Sequence, residues 1–323
     1  VSDGYDMITL DINDLEVNND EAGTTVSLIR GVLRGLKDHG YKIGGFNAYA
    51  TSDVLVGAGL SSSAAFEVVV GTIISGLYND MKINSVEIAQ ISQYAENVFF
   101  KKPCGLMDQM ACSVGGMVNI DFKPIVKKVP TEFEKYDYSL CIVDTKGDHV
   151  DLTDDYAMIP SEMKKVANFL GEDYLRDCDS NEFYIRLDEI REAVGDRPVL
   201  RAIHFFNEEY NVKNAVSSLE NGKFVEFLDA IRKSGNSSFK YLQNVYTTRD
   251  IQHQNISVAL ALSESLLRNY GVCRVHGGGF AGTIQAFVKN DFVSNYKEFI
   301  NKIFGENSCH VLKVRKYGGI KVM

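Results

Sequence analysis

Between Asp53 and Ala65 the chain reads Asp-Val-Leu-Val-Gly-Ala-Gly-Leu-Ser-Ser-Ser-Ala-Ala. Glycines at positions 57 and 59 let a backbone turn tightly and approach a ligand with no Cβ in the way. Ser61, Ser62 and Ser63 stand where an apolar helical pattern begins, so the N–H groups and dipole of a helix start would face an anion there. A serine hydroxyl in such a place also suits Mg2+, a hard cation that prefers oxygen donors. Two familiar phosphate loops are excluded. There is no Gly-Lys-Ser/Thr ending, and Ser62 occupies the third glycine position of G-x-G-x-x-G. A plain turn with serine caps accounts for the same residues, so the loop alone leaves both readings open.

A second segment places an acid among apolar residues: Pro103-Cys104-Gly105-Leu106-Met107-Asp108-Gln109-Met110. A carboxylate at Asp108, beside a glycine that opens space, could position a hydroxyl for in-line attack and take its proton. Glu96, one helix end earlier, could reach a shared Mg2+. Asp108 is equally compatible with a helix cap or a surface acid. A third segment, His276-Gly277-Gly278-Gly279-Phe280-Ala281-Gly282, joins two apolar strand patterns. It reads as a bulged hairpin or as a second loop packed under a triphosphate.

The elements around these segments follow from periodicity. Thr24 or Thr25 caps a helix with Val26, Ile29, Leu33 and Leu36 on one face, ended by Gly40. Phe46, Ala48 and Ala50 alternate like a strand ahead of the first glycine loop. Beyond the loop, Phe66, Val69, Val70, Ile73, Ile74 and Leu77 form a helical stripe, and Ser85 is a good N-cap for a helix carrying Ile88, Ile91, Ala95 and Val98. Strands are expected over 139–145, 272–276, 283–288 and 310–315, and helical patterns over 163–170, 212–219 and 224–231. Strands and helices mix without regular βαβ alternation, which favours a two-lobed α+β layout over a doubly wound sheet. The lobes are expected over 1–130 and 131–323, with a charged, proline-bearing linker between Phe122 and Asp137.

Composition narrows the class. With 323 residues and 45% hydrophobic content, a sizeable core is available. The net charge is −9, with no dense basic block; Lys101-Lys102 and Lys127-Lys128 read as solvated surface. That argues against nucleic acid as the main partner and leaves an anionic substrate to be held by local dipoles and a metal. Six scattered cysteines without a Cys-x-x-Cys pair read as reduced thiols. No apolar run is long enough to span a membrane and no signal peptide is evident, so the cytoplasm is the expected location. No protein partner is implied.

Taken together the segments resemble the galactokinase/homoserine kinase/mevalonate kinase/phosphomevalonate kinase (GHMP) superfamily. Gly57 to Ala65 resembles its phosphate-loop motif, Cys104-Gly105-Leu106-Met107-Asp108-Gln109 is similar to the galactokinase form of the catalytic segment, and Gly277 to Gly282 resembles the third motif. Tyr317-Gly318-Gly319-Ile320-Lys321-Val322 is similar to the galactokinase C-terminal end. The resemblance implies a two-lobed α+β GHMP kinase fold with mixed sheets and the active site between the lobes. It implies MgATP as phosphoryl donor and a sugar, galactose first, as acceptor. By residue it implies Asp108 as the catalytic aspartate; Gly57, Ala58, Gly59, Leu60, Ser61, Ser62 and Ser63 as the nucleotide-binding run; Ser63 and Glu96 as Mg2+ ligands; and Gly105, Asp108 and Tyr156 as sugar contacts. Tyr156 also reads as a half-buried structural tyrosine.

Departures from the pattern are specific. Leu55 stands where the family usually has proline, Ala281 replaces a common glycine, and Ile159 stands where many members have arginine. The family's opening strand motif, an arginine with a Glu-His-x-Asp cluster for the sugar, does not occur, and the chain reads as entering the fold after its first strands. Two rival readings accompany the galactose kinase: a non-catalytic ligand sensor on the same fold, and a kinase for a related acceptor such as an amino sugar.

Overall fold

The structure is a computed structural model and describes residues 7–52, 54, 61–121, 125–130, 133–147 and 152–322. Its contacts divide the chain into two compact units, one of Val1–Thr131 with Val314–Met323, the other of Glu132–Lys313.

The first unit is built on helices α1 (Thr25–Asp38), α2 (Ser62–Tyr78), α3 (Ser85–Tyr94) and α4 (Met107–Val114), followed by a hairpin of β1 (Met117–Asp121) and β2 (Ile125–Val129). Thr24 caps α1, its side chain accepting from Ser27 N–H. Asn84, not Ser85, caps α3, through an Oδ1 contact of 2.8 Å from Val86 N–H. Asparagine carries its acceptor one bond further from the backbone than serine does and satisfies the free N–H equally well. Val32, Leu33, Leu36, Val68, Ile74, Ile88 and Ile91 join the first three helices in one core. The buried face of α2 only partly matches the apolar stripe: Val70 and Ile74 of the stripe are buried, together with Ala64, Glu67, Val68, Gly71 and Ser75, while Val69 and Leu77 are exposed. A carboxylate inside this face is the feature that hydrophobic counting does not select.

Helix α3 runs on into a π turn, Ala95–Phe99. Such turns are rare and concentrate at functional sites. This one is seated against α1 at Gly31, where an added Cβ would come within 2.7 Å of Ala95 Cβ and 2.8 Å of its Cα. Glycine there lets the two backbones touch. The alternation Phe46–Ala50 forms no strand; the segment is irregular, with an isolated bridge at Ala50. The C-terminal tail belongs to this unit, with Gly116 N–H donating to the carbonyl of Arg315 at 2.8 Å.

The second unit holds β3 (Tyr138–Asp144), helices α5 (Thr153–Phe169), α6 (Ser180–Ile185), α7 (Leu187–Val194), α8 (Asp196–Glu220), α9 (Phe224–Ser237) and α10 (Asn255–Leu267), then β4 (Gly271–Val275), β5 (Thr283–Lys289), α11 (Val293–Phe304) and β6 (Cys309–Leu312). The strands form one antiparallel sheet in the order β4-β5-β3-β6. Its apolar face packs on α10 and α11 through Cys141, Val143, Ile284, Ala286, Val288, Leu260, Tyr296 and Ile300. Helix α5 is clamped to α8 by Glu162, which takes both Arg197 (2.5 Å) and the buried Arg201 (2.8 Å). The mixed helix-and-sheet architecture is the expected α+β class.

Candidate functional site

The N-terminus of α2 and the π turn meet at a pair of oxygens. Ser63 Oγ, on the second residue of α2, donates to Glu96 Oε1 at 2.9 Å. Glu96 is only 2% exposed, yet its carboxyl lies below the ordinary value. Burial works against ionisation, but hydrogen bonds from Lys102, Cys104 and Ser63 outweigh it. Lys102 Nζ reaches the same Oε1 at 3.0 Å. Burial disfavours its charge, and the contact with Glu96 raises its pKa in spite of that.

Behind this pair lies a buried polar knot. Gln109 Nε2 donates to Glu96 Oε2 at 2.6 Å and to Glu67 Oε2 at 3.2 Å. Glu67 and Gln109 are both fully buried. Burial pushes the Glu67 carboxyl up to about 8, with the charge of Glu96 adding to the effect, so it is protonated at neutral pH. The two acids thus divide: Glu96 is ionised and Glu67 is neutral.

Asp108 is the second residue of α4 and half-buried, with its neighbour Gln109 in the knot. The loop before it is anchored to α3 and the π turn. Asn97 Oδ1 accepts from Cys104 N–H at 2.7 Å, while Asn97 Nδ2 and Gln93 Nε2 donate to the Cys104 carbonyl at 3.3 and 3.1 Å. That anchorage presents Gly105 with open space where a Cβ would be. A flat, exposed backbone next to a carboxylate is an arrangement that can receive a polyhydroxyl ligand.

Tyr156 lies in the second unit, on α5. Its hydroxyl donates to the Gly279 carbonyl at 2.7 Å and its ring stands edge-on to Phe280. It therefore braces the second glycine cluster. Asn244 braces the other side: its Nδ2 donates to Gly278 O at 3.0 Å and its carbonyl accepts from Phe280 N–H at 2.5 Å. Gly279 has φ +83° and a Cβ there would collide with the Asn244 carbonyl, so only glycine fits.

Of the residues read from sequence, Ser63 and Glu96 are in contact, and Asp108 and Gly105 flank the loop and helix that Glu96 shares through Gln109 and Cys104. Ser61 and Ser62 open α2, Ser61 in a left-handed conformation (φ 57°). Gly57, Ala58, Gly59 and Leu60 lie outside the described residues. Sequence reasoning missed Glu67, Gln109 and Lys102. Gln109 carried a signal, being adjacent to Asp108 in the motif. The Lys102 side chain is 60% exposed, as its place in a lysine pair suggests, but its ammonium is turned onto the buried Glu96.

Ser63 Oγ and Glu96 Oε1 form a hard oxygen-donor set, with the carboxylate held ionised and a cation, Lys102, already drawn to it. Among the described residues no group of three or more His, Cys, Asp and Glu side chains converges as a metal cage. Mg2+ keeps several waters and is commonly held by one or two protein oxygens, so this set fits it.

Residues 27–116, which contain α2, the π turn and the Asp108 segment, match the family described as "GHMP kinases N terminal domain", so this part of the chain is of the GHMP kinase class. A galactokinase from Limosilactobacillus reuteri is 30% identical over 310 residues, covering 92% of this chain and 75% of that protein. A galactokinase from Streptomyces coelicolor is 29% identical over 290 residues, covering 88% and 71%. The crystal structure of Lactococcus lactis galactokinase complexed with galactose superposes with a TM-score of 0.76 at 22% identity, over 95% of this chain and 79% of that one. The chain belongs to the galactokinase family, and is an ATP-using phosphotransferase with an alcohol group as acceptor.

Proposed function

We propose that the protein transfers the γ-phosphoryl group of ATP to the anomeric hydroxyl of galactose, giving galactose 1-phosphate and ADP. The observation that carries this reading is the Ser63–Glu96 oxygen pair, joined through Gln109 to the helix that bears Asp108, in a chain of the galactokinase family. Galactose is the sugar in the name of the relatives and the ligand in the Lactococcus lactis structure.

Ser63 and Glu96 would hold Mg2+, which would supply neutralisation of the charge on the nucleotide phosphates. The start of α2, at Ser61 and Ser62 after Gly57 to Leu60, supplies N–H groups to the phosphates. Gly105 and Tyr156 contact the sugar. Asp108 accepts the proton of the anomeric hydroxyl as its oxygen bonds to the γ-phosphorus, and the bond from that phosphorus to the bridging oxygen of ADP breaks. Little covalent work falls to the protein; holding the two substrates in line is the main contribution. The six cysteines are all free thiols, which, with ATP as substrate, supports a cytoplasmic location. No helix of the described residues is long and apolar enough to cross a membrane.

The test is ADP release in the presence of galactose, glucose, N-acetylgalactosamine or no sugar, with the product identified by phosphorus NMR. Galactose-dependent release yielding the 1-phosphate is expected. Turnover confined to the amino sugar would replace the acceptor, and no turnover on any sugar would leave the fold a ligand sensor.

A further inference from the structure

Asp108 and Gln109 are consecutive on α4, but they face different surroundings. Asp108 is half-buried, whereas Gln109 has no solvent exposure at all. The amide of Gln109 has two hydrogens to give, and its nitrogen lies within hydrogen-bond distance of two carboxyl groups, 2.6 Å from Glu96 Oε2 and 3.2 Å from Glu67 Oε2. Its own carbonyl oxygen, Oε1, is buried without a partner, as is Oε1 of Glu67.

That arrangement is an expensive way to fill space. A buried oxygen without a partner destabilises the fold, and an apolar side chain of the same volume would leave none. What the amide does that an apolar residue cannot is hold one particular oxygen of Glu96. With Oε2 tied to Gln109, the carboxylate cannot spin about its terminal bond. Oε1 then faces Ser63 Oγ at 2.9 Å and the Lys102 ammonium at 3.0 Å. The remaining contact in the knot, Gln109 Nε2 to Cys104 Sγ at 3.7 Å, links the same amide to the loop ahead of Asp108.

We propose that Gln109 is a positioning residue for the metal-binding carboxylate: by holding Glu96 Oε2 it fixes the rotation in which Oε1 is offered, together with Ser63 Oγ, to Mg2+. The inference rests on the reading of Ser63 and Glu96 as the Mg2+ ligands. It makes α4 serve two functions from adjacent residues, with Asp108 at the reacting hydroxyl and Gln109 aiming the ligand of the metal. Partners of this kind, one step removed from a metal, are worth roughly 10- to 100-fold in its affinity.

The experiment measures Mn2+ binding to the ADP complex by electron paramagnetic resonance, for the unmodified protein and for Glu96→Gln, Gln109→Met and Gln109→Asn. Methionine keeps the volume and removes the donor; asparagine keeps a buried amide but falls short of Glu96. The Mn2+ dissociation constant should rise about 10-fold or more in both Gln109 variants, while ADP affinity without metal stays within about twofold. That second readout also establishes that the variants are folded. If Glu96→Gln weakens Mn2+ binding and a folded Gln109 variant does not, the positioning role is overturned and the ligand assignment survives. If Glu96→Gln itself has no effect, the ligand assignment fails and takes the inference with it. Should neither Gln109 variant fold, the unmodified protein decides. The side-chain amide resonances of Gln109 should shift when Mg2+ is added to the ADP complex and ignore ADP alone. Amide resonances indifferent to Mg2+ would overturn the proposal.

Discussion

The Lys102 ammonium sits 3.0 Å from Glu96 Oε1, the same oxygen that accepts from Ser63 Oγ at 2.9 Å. The backbone arranges this. Lys101 takes a left-handed conformation (φ 64°), the chain turns back, and Lys102 N–H donates to the Glu96 carbonyl at 3.1 Å. A cation thus already lies where Mg2+ is proposed to bind, and it must yield. Lys102→Met should tighten Mn2+ binding to the ADP complex. The side chain is 60% exposed, so the pair is worth at most about 1 kcal/mol, or about fivefold in affinity. Unchanged or weaker Mn2+ binding in this variant would show that the lysine does not compete with the metal.

Asp108→Asn keeps the shape of the side chain and removes its charge. Proton acceptance of the proposed kind contributes about 10²- to 10⁴-fold in rate. Galactose-dependent ADP release should fall by that order, with ATP affinity, measured separately by calorimetry, within about twofold. Near-normal turnover in the Asn variant would remove Asp108 from the chemistry.

Glu67 makes stability depend on pH in a direction opposite to that of an ion-paired acid. Its folded carboxyl is raised from 4.5 to about 8. The folded state therefore retains a proton that the unfolded state releases above pH 4.5. The stabilisation is fully present below that pH and is lost as pH rises towards 8. Between pH 4.5 and 7 the loss is on the order of 3 kcal/mol. Glu67→Gln mimics the protonated acid at every pH. In the presence of a chelator, its melting temperature should overtake that of the unmodified protein progressively from pH 5 to 8. Parallel melting curves across that range would mean that Glu67 is not held neutral.

Tyr156→Phe deletes the hydrogen bond to Gly279 and leaves the ring against Phe280. A loss of about 1 kcal/mol is expected, seen as a melting shift of about 2–4 °C for a unit of this size. If the hydroxyl also contacts the sugar, as proposed, the KM for galactose rises about three- to tenfold while kcat changes less. A stability loss with unaltered KM would confine Tyr156 to bracing the glycine cluster.

Local features of the fold were legible because they depend on neighbours in sequence. The Thr24 cap, the helix after the serines and the strand at Tyr138–Asp144 each need only a cap residue or a run of apolar side chains. The contact between Ser63 and Glu96 was legible through the motifs that carry them, not through spacing, since 33 residues separate the two.

What the sequence by itself determined is the set of groups: a serine at a helix start, two glutamates, an aspartate after a glycine, and the turns that glycine alone allows. Only the tertiary structure decided how they differ. Nothing in the chain around Glu67 and Glu96 marks one as neutral and the other as ionised; burial and the partners brought to each make that choice. Lys102 looked like surface because its pairing with Glu96 needs the π turn and a left-handed Lys101. The alternation at Phe46–Ala50 forms no strand beyond an isolated bridge at Ala50, because a ladder needs a neighbouring strand in register and alternation in one segment does not supply it. The tail joined the first unit through hydrogen bonds such as Gly116 to Arg315, formed across about two hundred residues of chain. Charge state, pairing and unit membership are set by what packs against a residue, and packing is decided by the whole chain.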